Sequence, residues 1–183
     1  MKKVRSGSIL ISEPFLGDPN FERTVVLICR HDEDGTFGLV LNRKSNLKLS
    51  DVLDVEKGNG DMDLNIGGPM QYNTLHYIHQ LDELQESIPL GKSVYWGGDY
   101  DQLQDMLTSG QLKSDDIRFF LGYSGWSPGQ LDEEIERDSW IVNNTYTDKL
   151  FDLDQETLWR EILKQMGGKY KVLANYPIYP SLN

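Results

Sequence analysis

The chain has 183 residues, 38% of them hydrophobic, with 29 acidic against 18 basic side chains and a formal net charge of −11. That length suits one domain able to bury a sizeable core, and the charge excludes a surface built mainly to neutralise phosphates. Basic residues gather only at Lys2, Lys3 and Arg5, at Arg43 and Lys44, and at Lys164, Lys169 and Lys171, so direct nucleic-acid binding is not expected. Cys29 is the single cysteine and lies in an apolar run, Thr24 to Arg30, where a thiol behaves as a small buried hydrophobe and no internal disulfide can form. The apolar stretch Ser8 to Ile11 is too short for a secretion signal, and no run approaches the length of a membrane span. The expected location is the cytoplasm, without membrane attachment.

Ser8 to Ser12 reads as a first strand. Leu16-Gly-Asp-Pro-Asn-Phe21 follows, a turn in which Asp18 and Pro19 can open a single helical turn. Thr24–Arg30 and Thr36–Asn42 flank Asp32-Glu-Asp-Gly35, the clearest hairpin of the chain. Ser50 is expected to cap a short helix through Val55, and Lys57 to Asp63 to form a loop. Leu64–Ile66 leads into Gly67-Gly68-Pro69, and Asn73 to His79 alternates as a strand does. Pro89-Leu-Gly91 turns into Val94-Tyr-Trp96. Asp99 is placed to cap a helix with Tyr100, Leu103, Met106 and Leu107 as its buried stripe and Gly110 as its stop.

Ile117 to Leu121 is a buried strand, and Gly122 and Gly125 suggest a glycine-relieved turn. Ser127, Pro128 and Gln130 then form a capping box for a helix whose apolar edge is Leu131 and Ile135. Glu134 sits on the rim of that edge. Trp140 to Asn143 is a strand, and Asp154 caps a last helix buried at Leu158, Trp159, Ile162, Leu163 and Met166 and closed by Gly167-Gly168. An extended tail is expected from about residue 170, most clearly from Ala174 to Asn183. Strands and helices follow one another without regular βαβ alternation, which defines an α+β domain over residues 1–183.

Several catalytic and ligand-binding patterns are excluded. Gly122-Tyr-Ser-Gly-Trp126 lacks the last glycine of a nucleophile elbow, and no histidine follows Ser124. His76 and His79 lie on a strand pattern that sends their rings to opposite faces, so no metal site is expected. The acidic loops fit no calcium motif, and the paired glycines belong to no phosphate loop. No cofactor is implied.

Phe21-Glu-Arg-Thr-Val-Val-Leu27, Gly38-Leu-Val-Leu-Asn-Arg43, Gly67-Gly-Pro69, Gly122-Tyr-Ser-Gly-Trp126 and Gly129-Gln-Leu131 keep an order and spacing that resemble the YqgE/AlgH family. The resemblance implies a bacterial cytosolic protein of compact α+β fold, with a mixed, barrel-like sheet flanked by helices. It also brings the label of a transcriptional regulator, without an established activity and without catalytic residues to carry over. The chain departs from the pattern at Lys44, at Ser124 and in its tail.

The reading is therefore a non-enzymatic binding or regulatory domain with an unidentified protein or small-molecule partner, acting on transcription, if at all, indirectly. Its candidate binding residues are Arg23, Asn42, Tyr123, Trp126, Gln130 and Glu134, with an Arg23–Glu134 ion pair as the structural alternative. The competing reading is an enzyme using a carboxylate from Glu13, Asp18, Glu22 or Glu134 as general acid or base.

Overall fold

Alternation along the first strands decides the architecture. In the computed structural model, which describes residues 3–55 and 59–176, β1 (Ile9–Ser12) is buried along its whole length. It pairs antiparallel with β2 (Val25–Asp32), and β2 pairs with β3 (Gly35–Val40) in the expected hairpin. Ile9, Ile11, Val25, Leu27, Cys29, Leu39 and Leu41 point into one hydrophobic cluster, while Leu10, Val26, Ile28 and Val40 point into another. A sheet buried on both faces needs apolar residues at every position, which explains the unbroken apolar runs. A bulge between Ile28 and Arg30 gives Cys29 no partner on β3.

The strand β9 (Ile117–Trp126) is the spine. Its Phe119–Leu121 stretch pairs in parallel with β5 (Asp63–Ile66; Leu64↔Phe119 to Ile66↔Leu121) and antiparallel with β6 (Met70–His79). Its end, Ser124 to Trp126, pairs antiparallel with β3. The sheet has ten strands, and its main path runs β10-β1-β2-β3-β9-β6-β8-β7, where β10 is Trp140–Asn143, β8 Tyr95–Trp96 and β7 Ile88–Pro89. β4 (Lys44–Lys48) and β5 (Asp63–Ile66) branch from it. The sheet is mixed, as expected. It is open rather than barrel-like: β10 and β7 end the path without pairing each other, so the expected closure is absent.

The expected turn at Gly122 and Gly125 is not one. β9 runs straight through both, with Gly122 at φ +69° inside the strand. A side chain there would meet Met70 O at 2.6 Å and Gly68 O at 3.0 Å. Gly67 lies where β5 gives way to β3 along β9: its N–H donates to Leu121 O and its carbonyl accepts from Val40 N-H. A Cβ on Gly67 would lie 2.3 Å from Gly122 O. The paired glycines thus let two backbones cross in contact. Ser124, fully buried, donates its hydroxyl to Gly67 O at 3.2 Å and tightens the same seam.

Helices cover the sheet. α1 (Tyr100–Thr108) is capped by Asp99, whose carboxylate accepts from Gln102 N-H at 2.7 Å. It buries Leu103 and Leu107 against Leu64, Tyr77 and Phe119; Tyr100 is exposed instead of joining that stripe. α2 (Gln130–Glu136) starts after Gly129 at φ +78°. Only half of the expected capping box forms: Gln130 Oε1 accepts from Ser127 N-H at 3.0 Å, but the Ser127 hydroxyl caps nothing. α3 (Leu158–Met166) buries Leu158, Trp159, Ile162 and Leu163. Asp154 closes a turn ahead of it, accepting from Glu156 N-H, and the N-cap position falls to Thr157.

Two expectations need correction. The helix proposed after Ser50 is a single 3-10 turn, Leu49–Asp51, in which Asp51 accepts from Lys48 N-H. The tail is not extended from residue 170: Gly167 at φ +69° only turns the chain, and α4 (Gly168–Leu173) follows. The remainder of the proposed tail, Pro177 to Asn183, and the glycine of the proposed loop at 58 lie outside the described residues.

Candidate functional site

The candidate residues fall in separate places, because the odd spacing between Tyr123 and Trp126 sends them to opposite faces of β9. Trp126, 5% exposed, packs with Leu131, Trp140 and Phe21. A buried indole needs an acceptor for its N–H, and Glu134 supplies it. Its Oε2 accepts from Trp126 Nε1 and from Trp140 Nε1, each at 2.8 Å, and its Oε1 accepts from Gln130 Nε2 at 3.0 Å. Helix α2 places Gln130 and Glu134 one turn apart, and β10 delivers Trp140 from the opposite side. Every polar group in this network has a partner. Trp140 was not singled out from the sequence as a member; two tryptophans flanking a rim carboxylate are the signal that points to it.

Tyr123 stacks on Phe37 with ring centres 4.6 Å apart and meets His76 edge-on at 5.9 Å, with Trp96 on the far side of Phe37. Burial pushes the His76 imidazole below its ordinary pKa.

Arg23 and Asn42 form a third locus. Asn42 Oδ1 accepts from Val25 N-H, and its Nδ2 donates to Arg23 O, both at 2.9 Å. That grip holds Arg23 at φ +47°, a conformation costly for a side-chain-bearing residue. The expected pair between Arg23 and Glu134 does not form. Arg23 instead lies 5.0 Å over the Trp159 ring and donates Nη2 to Tyr176 O. Burial, then the nearby Arg160, lowers its pKa, with Glu22 acting in the opposite sense.

The remaining carboxylates of the enzyme reading serve turns or solvent. Glu13 accepts from Phe15 N-H and Asp18 from Asn20 N-H, while Glu22 is exposed. The fold also brings hydroxyls to histidine nitrogens in a way invisible in sequence: Thr36 Oγ1 lies 2.7 Å from His31 Nδ1, Thr74 Oγ1 3.1 Å from His76 Nε2, and Ser87 Oγ 3.2 Å from His79 Nε2. The same nitrogen faces Gly97 O at 2.7 Å, and Nδ1 faces Leu81 N-H. That pattern places the proton on Nε2, so this nitrogen donates and cannot take a proton from Ser87. Burial also holds His79 below its ordinary pKa. Among the described residues no group of three or more histidine, cysteine, aspartate or glutamate side chains is arranged to hold a metal, and no helix is long and apolar enough to cross a membrane.

A cavity of about 680 Å³ lies between β10 and α4 and borders the Glu134 network through Ile135 and Trp140. Val142, Val172, Leu173 and Tyr176 complete its apolar wall; Glu13, Asp138 and Lys169 stand on its edge. α4, standing where an extended tail was expected, supplies one wall of this cleft. A smaller cavity of about 300 Å³ is lined by Arg23, Asn42, Glu156, Thr157, Trp159 and Arg160. A third, about 320 Å³, holds Arg118 among Asp63, Asp115 and Asp154. Arg118 lies 4.9 Å over Phe151 and has a buried Nη1 without a protein partner.

An open, mixed ten-stranded sheet, seamed by glycines along one central strand and covered by short helices, defines a compact α+β class of domain. Residues 9–171 match the model of the AlgH-like family, and the chain belongs to that family. A UPF0301 protein of Cytophaga hutchinsonii is 44% identical over 98% of this chain and 100% of its own length. Another, from Bacteroides fragilis, is 40% identical over 97% of this chain and 90% of its own. The solution structure of AlgH from Pseudomonas aeruginosa superposes with a TM-score of 0.74 at 28% identity, covering 97% of this chain and 98% of that one. A Corynebacterium diphtheriae crystal structure, at 21% identity over 96% and 94% of the two chains, shares the fold with the same TM-score of 0.74.

Proposed function

We propose that this protein is a non-enzymatic, cytoplasmic binding domain that takes an apolar small molecule in the cleft between β10 and α4, with any effect on transcription exerted indirectly. The cleft carries the reading. Its volume of about 680 Å³ falls within the span of small-molecule sites, and it combines an aliphatic and aromatic wall with a few charged groups at the edge. Against the competing carboxylate reading, Glu134 is taken up by two indoles and Gln130, and Glu13 and Asp18 by turn amides.

Val172 is 62% exposed and lines the cleft, so Val172→Arg should fill it without cost to the core. Native mass spectrometry of freshly purified protein should show a discrete extra mass that the variant lacks. Bare wild-type protein, together with no Val172-dependent binding of an apolar fluorescent dye, would overturn the reading.

A further inference from the structure

The acidic surface makes unmatched cations conspicuous. Arg23, on the turn before β2, and Arg160, in the first turn of α3, line one cavity of about 300 Å³. Among the described residues neither has a carboxylate within the 4.0 Å of an ion pair. The one acidic side chain on the cavity wall, Glu156, is matched by Lys44 at 2.9 Å. Glu22, next to Arg23, is exposed.

Two like charges facing one cavity repel each other unless something between them is negative; burial first, and Arg160 second, lower the pKa of Arg23. Arg23 is also held in place. Trp159 supports the face of its guanidinium, Tyr176 O fixes Nη2, and Asn42 grips its backbone. A guanidinium fixed in this way loses little entropy when its remaining N–H groups take up an oxyanion.

From this geometry we infer that the cavity between Arg23 and Arg160 is a binding site for a phosphate group, free or as the monoester of a small molecule. A dianion balances the two charges, and guanidinium forks suit phosphate oxygens in pairs. The cavity admits one such group, and the net charge of −11 disfavours a long polyanion. This site goes beyond the apolar cleft and stands without it.

The test is an NMR titration of the full-length protein with inorganic phosphate, at ionic strength held constant with chloride. Saturable shifts should centre on the amides of Arg23, Asn42 and Thr157 to Arg160. Arg160→Gln, at an exposed position outside the core, should weaken binding about tenfold while leaving the thermal midpoint unchanged. Arg23→Lys, which keeps the charge but loses the fork, should weaken it less than Arg23→Gln. Phenyl phosphate separates the sources: tighter binding than inorganic phosphate marks an ester site, equal binding a site for the free ion. Absence of saturation, shifts centred on Lys169 and Lys171, or undiminished affinity in Arg160→Gln would overturn the inference.

Discussion

Two regions of this molecule handle polar side chains in opposite ways. Where Gly67 crosses Gly122 and under α2, polar side chains are answered: Glu134 serves both indoles and Gln130, Ser124 serves Gly67, and the glycines allow backbone contact. At the corner where Arg23, Arg160 and α4 meet, cations lack carboxylate partners among the described residues and the surface opens into cavities. The seam holds the Gly67-Gly-Pro69 and Gly122–Trp126 motifs, yet its chemistry is spent on holding the fold. Satisfied polar networks specify structure; charge left unmatched beside a cavity is where a ligand can still contribute.

The sharpest way to break this contrast is at the seam. Gly122→Ala would force a left-handed backbone on alanine and drive a methyl into Met70 O and Gly68 O. We expect a loss of about 4 kcal/mol, the sum of backbone strain and overpacking, measured by denaturant unfolding. A tolerated alanine would mean that the strands do not cross as closely as the seam requires. Glu134→Ala should cost about 3 kcal/mol by leaving two buried indole N–H groups without an acceptor. Glu134→Gln, which keeps an acceptor oxygen, should cost less. A neutral Glu134→Ala would move Glu134 from the structural to the functional side of the comparison.

The smallest effect is a pH dependence. Burial keeps His76 and His79 below the ordinary value of 6.5, so the unfolded chain binds protons that the folded one refuses. Their contribution is complete above pH 6.5, declines as the pH falls below it, and is lost once the pH has passed through the folded values. Acidification should therefore loosen amide protection first in β6 around these histidines, with the Arg23–Arg160 corner less affected. Protection lost first at α4 would contradict that order.

Sequence alone specifies the core strands β1 and β2, because unbroken apolar runs such as Ile9–Ile11 and Val25–Cys29 cannot rest until both faces are covered. It also determined the hairpin, through Asp34-Gly35, and the α1 cap at Asp99. Local chemistry suffices for these. It misread Gly122 and Gly125 as a turn, since glycine signals permissive backbone without saying whether the chain bends or merely comes close to another strand. It placed α4 in an extended tail, because Gly167-Gly168 stops one helix and says nothing about the next.

The candidate residues can be picked out in sequence, but their grouping cannot. Trp126, Gln130 and Glu134 do meet, one helical turn and one strand apart. Arg23 and Asn42 joined a different group only when α3 and the chain at Tyr176 arrived from more than a hundred residues away. Which polar groups end satisfied and which are left facing a cavity depends on partners brought from distant segments. Tertiary structure alone decided that, because desolvation and charge matching are properties of three-dimensional neighbours rather than of the chain.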